Sequence, residues 1–138
     1  MTNRRKFLKT TLVVAGGMAI TPAAMAAKKS TKNDSTKGII YTKDDPGMWD
    51  EKVDSHAPIV EREGNKVTLT TDHPMSARHY IVRHTLVTDD GQVIGSETFY
   101  SNFPEAVSSY EIPEGYKGKL YATSFCNKHD FWVTEFEV

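Results

Sequence analysis

The fold of this chain is constrained most by a series of short runs rich in Val, Ile, Thr, Tyr and Phe, each closed by turn residues. The runs are APIVER (57–62), KVTLTT (66–71), HYIVRHTLVT (79–88), QVIGSETFY (92–100), AVSSYEI (106–112), GKLYATSFC (118–126) and FWVTEFEV (131–138). Many alternate apolar with polar residues, the period of a strand that buries one face. EGN at 63–65 and DDG at 89–91 supply hairpin-type turns, and PEGYKG at 113–118 supplies a longer connection. Beyond residue 26 no stretch sustains a helical apolar stripe over three turns. The pattern predicts an all-β fold, an immunoglobulin-like antiparallel β-sandwich of about seven strands.

The first 26 residues read differently. A basic start with Arg4, Arg5, Lys6 and Lys9 precedes a short apolar run from Leu12 to Ile20, and AMA then offers a small-residue cleavage site after Ala26. The run is too short to cross a bilayer, which takes about 20 residues, so the mature form has no stable membrane span. RRKFLK resembles the twin-arginine signal, and Gly16 and Gly17 suit the modest hydrophobicity of such signals. The expectation is a periplasmic or otherwise exported protein that leaves the cytoplasm folded, with its cofactor already inserted. Removing these residues leaves 13 basic and 18 acidic side chains, about -5 net, a balance that excludes the basic footprint of nucleic-acid binding. Residues 27–45 are assigned to a flexible linker, tether-like up to about Lys37, with order expected to begin near GIIY (38–41) and turn chemistry in KDDPG (43–47). Residues 46–138 form the sandwich domain.

Cys126 is the only cysteine. It has no internal disulfide partner, and an odd thiol in an exported protein needs either protection or a use. Of the five histidines, His56, His73, His79 and His129 sit where strands start or end, in SHAP, DHPMSARH and CNKH. Loop ends are where a rigid sandwich can aim side chains at one point. His84 lies inside HYIVRHTLV and reads as a strand-face residue, on the surface or hydrogen-bonded, and not as a ligand. Each motif alone has an ordinary reading, as a turn histidine beside proline or a chance Cys-x-x-His. Together they offer one thiol and four imidazoles. Imidazole suits iron, copper, nickel and zinc, and thiolate favours softer or redox-active metals. Five donors argue against structural zinc, which closes at four, and they leave one octahedral position open for a small molecule.

HAP at His56, HPMSARH from His73 to His79 and CNKHDFW at the C-terminal end resemble the superoxide reductase family, that is, neelaredoxin and the iron domain of desulfoferrodoxin. The family pattern is H-x-P, then H-P-x4-H, then C-N-x-H-x-x-W, and the likeness runs from about Trp49 to Val138 with Pro74, Asn127 and Trp132 in place. The resemblance implies a mononuclear iron (Fe2+/Fe3+) held by His56, His73, His79 and His129 with Cys126 as axial thiolate. It also implies reduction of superoxide to hydrogen peroxide in antioxidant defence. A thiolate opposite the open position donates electron density to iron, as in thiolate-ligated haem. With no second cysteine, the chain resembles the one-iron form and implies an external electron donor, rubredoxin-like or another small redox protein. Relatives of this form are often homotetramers, so a homo-oligomer is expected.

The likeness breaks beside the first histidine. Where the family often carries E-K-H-x-P, this chain has Asp54-Ser55-His56-Ala57-Pro58. Asp54 keeps the carboxylate that can occupy the open position, one methylene shorter, while Ser55 removes a positive charge. Lys52 and Lys128 are the candidates to replace that charge, and the opposing reading makes both solvated surface lysines. Trp49 is placed over the mouth of the site and Trp132 beside the ligand loop, or else both are ordinary core and sheet-edge aromatics. The rival functions are a non-catalytic iron redox carrier or sensor, a copper site, and a metal-free binding module. Copper is disfavoured because no Met follows Cys126 as an axial ligand.

Overall fold

Residues 36–138 are described by the structure, a computed structural model. The signal reading of residues 1–26 and the first part of the linker reading lie outside the described residues. The strands are β1 (Ile40–Tyr41), β2 (Ile59–Glu63), β3 (Lys66–Thr71), β4 (Ile81–Thr88), β5 (Val93–Thr98), β6 (Ala106–Glu111), β7 (Lys119–Cys126) and β8 (Asp130–Glu137). They form a five-stranded sheet in the order β1-β8-β7-β4-β5 and a three-stranded sheet in the order β2-β3-β6. Every pair is antiparallel except β1 with β8, where Ile40 and Tyr41 lie beside Phe131 and Trp132. The expected β-sandwich is therefore present, with each of the seven runs contributing a strand. β1 adds an eighth from within the stretch assigned to the linker, because Tyr41 is 2% exposed and packs on Trp132 at 5.6 Å between ring centroids. No helix among the described residues is long and apolar enough to cross a membrane.

The core is layered along the strands. Strict alternation on β7 turns Leu120, Ala122, Ser124 and Cys126 inward, and on β3 it does the same for Val67, Leu69 and Thr71. At one end Val67, Leu69, Leu86, Ile112, Leu120 and Ala122 form an apolar cluster. At the other end Ile81, Phe99, Ala106 and Cys126 form a second. Each large aliphatic side chain so buried stabilises the fold by about 1.5–3 kcal/mol. On β4 the alternation breaks: the register with β7 shifts between Ile81 and Arg83, so Ile81, His84 and Leu86 all face inward. That bulge places His84 in the interior, fully buried and hydrogen-bonded, which corrects the surface half of its sequence reading.

Before β2 the chain makes a 3₁₀ turn at Gly47–Lys52 and a four-residue α-turn at Val53–His56. Gly47 is required where it stands. Its φ is +54°, and a Cβ there would meet the Tyr41 ring at 2.9 Å. These two turns carry Trp49, Lys52 and His56 to the end of the sandwich where Cys126 closes β7.

Candidate metal centre

Five side chains from three separate stretches meet at that end. His56 ends the α-turn, His73 follows β3, His79 precedes β4, Cys126 is the last residue of β7, and His129 sits in the turn before β8. One donor atom from each lies within 4.8 Å of all the others. His56 Nε2 is 3.0 Å from His129 Nδ1, which is 3.0 Å from His79 Nε2, which is 3.0 Å from His73 Nε2. The ring centroids follow the same cycle, 4.7, 4.7, 4.4 and 4.6 Å along successive edges, with His56 to His79 at 6.0 Å across. The four imidazoles therefore form a square, to which Cys126 Sγ adds a contact of 3.6 Å with His129 Nδ1.

Hydrogen bonding among the rings does not account for this spacing. His129 Nδ1 approaches two other ring nitrogens and a sulfur, yet a neutral imidazole nitrogen either donates one proton or offers one lone pair. A common cation does account for it: two nitrogens each about 2.1 Å from one ion and at right angles are about 3.0 Å apart. The four histidines also favour the neutral form that a metal needs. Burial lowers the pKa of all four histidines, that of His56 to about 4, with the neighbouring imidazoles opposing protonation of His56 further. Burial raises the pKa of the Cys126 thiol, which a metal would reverse by binding the thiolate.

Neighbouring groups orient these donors. His56 Nδ1 is 3.1 Å from the Lys52 carbonyl and 2.8 Å from Ser55 Oγ, an arrangement that fixes the Nδ1–H tautomer and leaves Nε2 free for the square. Ser55, read from sequence only as a lost charge, thus supports the first histidine. Ser76 brackets the His79 backbone, with its hydroxyl donating to the His79 carbonyl at 2.9 Å and accepting from the His79 amide at 3.2 Å. Asn127 ties the Cys126 turn to the His79 loop, its amide donating to the Arg78 carbonyl at 3.0 Å and accepting from the Tyr80 amide at 3.1 Å. Trp132 Nε1–H donates to the His129 carbonyl at 2.9 Å, and the ring is fully buried beside His56. Trp49 stands edge-on to His129 at 4.8 Å and donates to Asp130 Oδ2 at 3.3 Å. Serine and asparagine in turns are too common for their spacing to have marked these roles in advance.

Lys52 and Lys128 both bear electrostatically on the cluster. The Lys52 charge disfavours protonation of His73, His79 and His129, and the Lys128 charge does so at His79 and His129. Asp54 is exposed and stands outside the five-donor group. His84 stays apart from it as well.

The Desulfoferrodoxin family matches residues 48–135, a stretch that holds every donor of the square and the thiol. The chain belongs to the desulfoferrodoxin family. It is 34% identical over 86 residues to a desulfoferrodoxin homolog from Archaeoglobus fulgidus, covering 60% of this chain and 64% of that one. It is 32% identical over 110 residues to a superoxide reductase from Pyrococcus abyssi, covering 67% and 92%. Among solved structures, a variant of the superoxide reductase (neelaredoxin) from Ignicoccus hospitalis is similar with a TM-score of 0.60 at 25% identity, over 72% of this chain and 92% of that one. A one-iron superoxide reductase from Giardia intestinalis is similar with a TM-score of 0.56 at 26% identity, over 62% and 99%. The chain thus spans slightly less than two thirds of the Archaeoglobus relative and nearly all of the others. Within the desulfoferrodoxin family, this donor set and its spacing make the cluster a site for a single mononuclear iron.

Proposed function

We propose that this protein is a superoxide reductase in which His56, His73, His79, His129 and Cys126 would together hold one iron. The observation that carries the reading is the run of three ring-nitrogen contacts at 3.0 Å linking the four imidazoles, completed by a buried thiol. The reaction takes one superoxide, one electron and two protons to one hydrogen peroxide and releases no oxygen. Iron held there would supply ferrous–ferric electron transfer, and the Cys126 thiolate would make it electron-rich. The chain does the remaining work. Four neutral imidazoles hold the site, and the Lys52 carbonyl and Ser55 keep the His56 ring turned inward. The ammonium groups of Lys52 and Lys128 draw the superoxide anion toward the site and replace the charge that Ser55 lacks. Asp54, exposed two residues before His56, keeps the carboxylate of the family pattern, one methylene shorter than glutamate. Electrons come from a separate small redox protein of rubredoxin type, since the only cysteine is used in the site.

Purified protein is expected to hold one iron per chain, and its ferrous form to be oxidised by pulse-generated superoxide in a second-order step. Iron-free protein, or a ferrous form inert to superoxide, overturns the reading. Residues 1–26 support a role outside the cytoplasm, in antioxidant defence after twin-arginine export of the folded, iron-loaded chain. Replacing Arg4 and Arg5 by Lys is expected to leave the protein in the cytoplasm, and unchanged export of that double variant rejects the route.

A further inference from the structure

Between the two apolar clusters of the core lies a polar layer that the metal site does not use. It consists of Thr71 and Ser108 from the three-stranded sheet and His84 and Ser124 from the five-stranded sheet, each at most 7% exposed. Thr71 Oγ1 is 2.8 Å from His84 Nε2 and 2.8 Å from Ser124 Oγ, and His84 Nδ1 is 2.9 Å from Ser108 Oγ. All three contacts cross the gap between the sheets. A neutral imidazole has one donor and one acceptor, so either tautomer closes the network: a hydroxyl donates to one ring nitrogen and the other nitrogen donates to a hydroxyl. His84 and Ser124 are register partners on β4 and β7, which keeps the two groups level. The Phe99 ring packs edge-on against the imidazole at 4.8 Å.

The layer is joined to the metal site through the chain itself. Thr71 is the last residue of β3, and its carbonyl accepts the His73 amide at 2.8 Å in a tight turn. Ser124 points to the same side of β7 as Cys126, two residues further on. The Thr71–Ser124 bond is therefore the last side-chain tie between the sheets before one strand delivers His73 and the other delivers Cys126. An apolar layer would fill this space without directional contacts and would leave the sheets free to adjust by tenths of an ångström. Hydrogen bonds fix both spacing and rotation.

We infer that the Thr71–His84–Ser108–Ser124 clasp is a positioning element for the metal centre, setting the separation at which β3 and β7 present His73 and Cys126. The inference rests on the iron reading above and assigns these four residues no contact with iron or substrate.

The test compares full-length iron-loaded protein with Thr71→Val, which keeps the shape and loses the hydroxyl. Thr71→Ser serves as rescue, Ser124→Ala as a milder break, and Leu120→Ala as a control in the far cluster. Iron affinity by competition with a chelator is expected to fall about 10-fold in Thr71→Val, the lower end for outer-shell changes. The visible absorption band of the ferric thiolate is expected to shift in Thr71→Val and Ser124→Ala and to return in Thr71→Ser. Leu120→Ala is expected to lower the unfolding midpoint without moving the band. If Thr71→Val does not fold, Ser124→Ala carries the test alone. Unchanged band and affinity in the folded variants, or an equal shift in Leu120→Ala, overturns the clasp and leaves the iron reading intact. A wild-type protein that takes up no iron overturns both.

Discussion

At residue 55 a serine stands where the E-K-H-x-P pattern of the family resemblance has lysine, and its hydroxyl is turned toward His56 Nδ1 at 2.8 Å. The position offers a hydrogen bond to one of the five clustered donors in place of a charge. On the proposed reading the field at the site falls to Lys52, one turn earlier, and Lys128, between Cys126 and His129, whose charges act on the imidazoles. Surface charges near a site change encounter rates with an anion by about 10- to 1000-fold and lose this effect as salt screens them. Replacing Lys52 and Lys128 together by Gln is expected to slow the second-order oxidation of the ferrous form by superoxide about 10-fold at low salt. Ser55→Lys is expected to accelerate it by a similar factor. Both effects shrink as ionic strength rises. A double-Gln variant with the wild-type rate at low salt would remove the two lysines from the mechanism.

At the scale of elements, the strands were legible because burial on one face imposes a period. β3 and β7 alternate without fault, so KVTLTT and GKLYATSFC mark their own bounds and inward residues. β4 was legible as a strand but not in its facing, since a bulge beside Ile81 re-phases the alternation and carries His84 inside. β1 and the turns over 47–56 left no trace in periodicity, being too short for a stripe of either period. The five donors were legible because ligand chemistry demands particular residue types at fixed spacing. Ser76 and the clasp were not, because hydroxyls are equally at home in any turn or strand, and Asn127 was legible as part of the pattern but not in its role as a tie between loops. Gly47 is the element-scale residue most open to test. Alanine there meets both the left-handed backbone and the Tyr41 ring, whereas alanine at Gly115, φ +78°, meets open space. Gly47→Ala is expected to cost about 1–3 kcal/mol in urea unfolding, more than Gly115→Ala. Equal costs would show that the Tyr41 contact carries no weight.

For the molecule as a whole, metal and proton compete for the same fold. His84 is held neutral by burial, its pKa lowered to about 4, and the groups around it (Thr71, Ser108, Ser124 and Phe99) are uncharged. Glu97, its register partner on β5, is exposed and compensates nothing. In the unfolded chain a histidine takes up its proton near pH 6.5. Between pH 6.5 and 4 the unfolded state therefore binds more protons than the folded state, and stability falls as the pH is lowered through that window. His84 alone contributes about 3 kcal/mol of this loss. The ligand histidines, also lowered, add to it in iron-free protein. Bound iron opposes the trend, because a ligand that binds only the folded state raises its stability by mass action. Urea unfolding of the iron-free chain is therefore expected to weaken steadily from pH 6.5 to 4. The iron-loaded chain should hold its stability to lower pH and then lose metal and fold together. His84→Leu should flatten the iron-free slope by about one proton, since leucine has nothing to titrate. A slope unchanged in that variant would mean that the imidazole is already protonated inside the sandwich, and the neutral clasp would not stand.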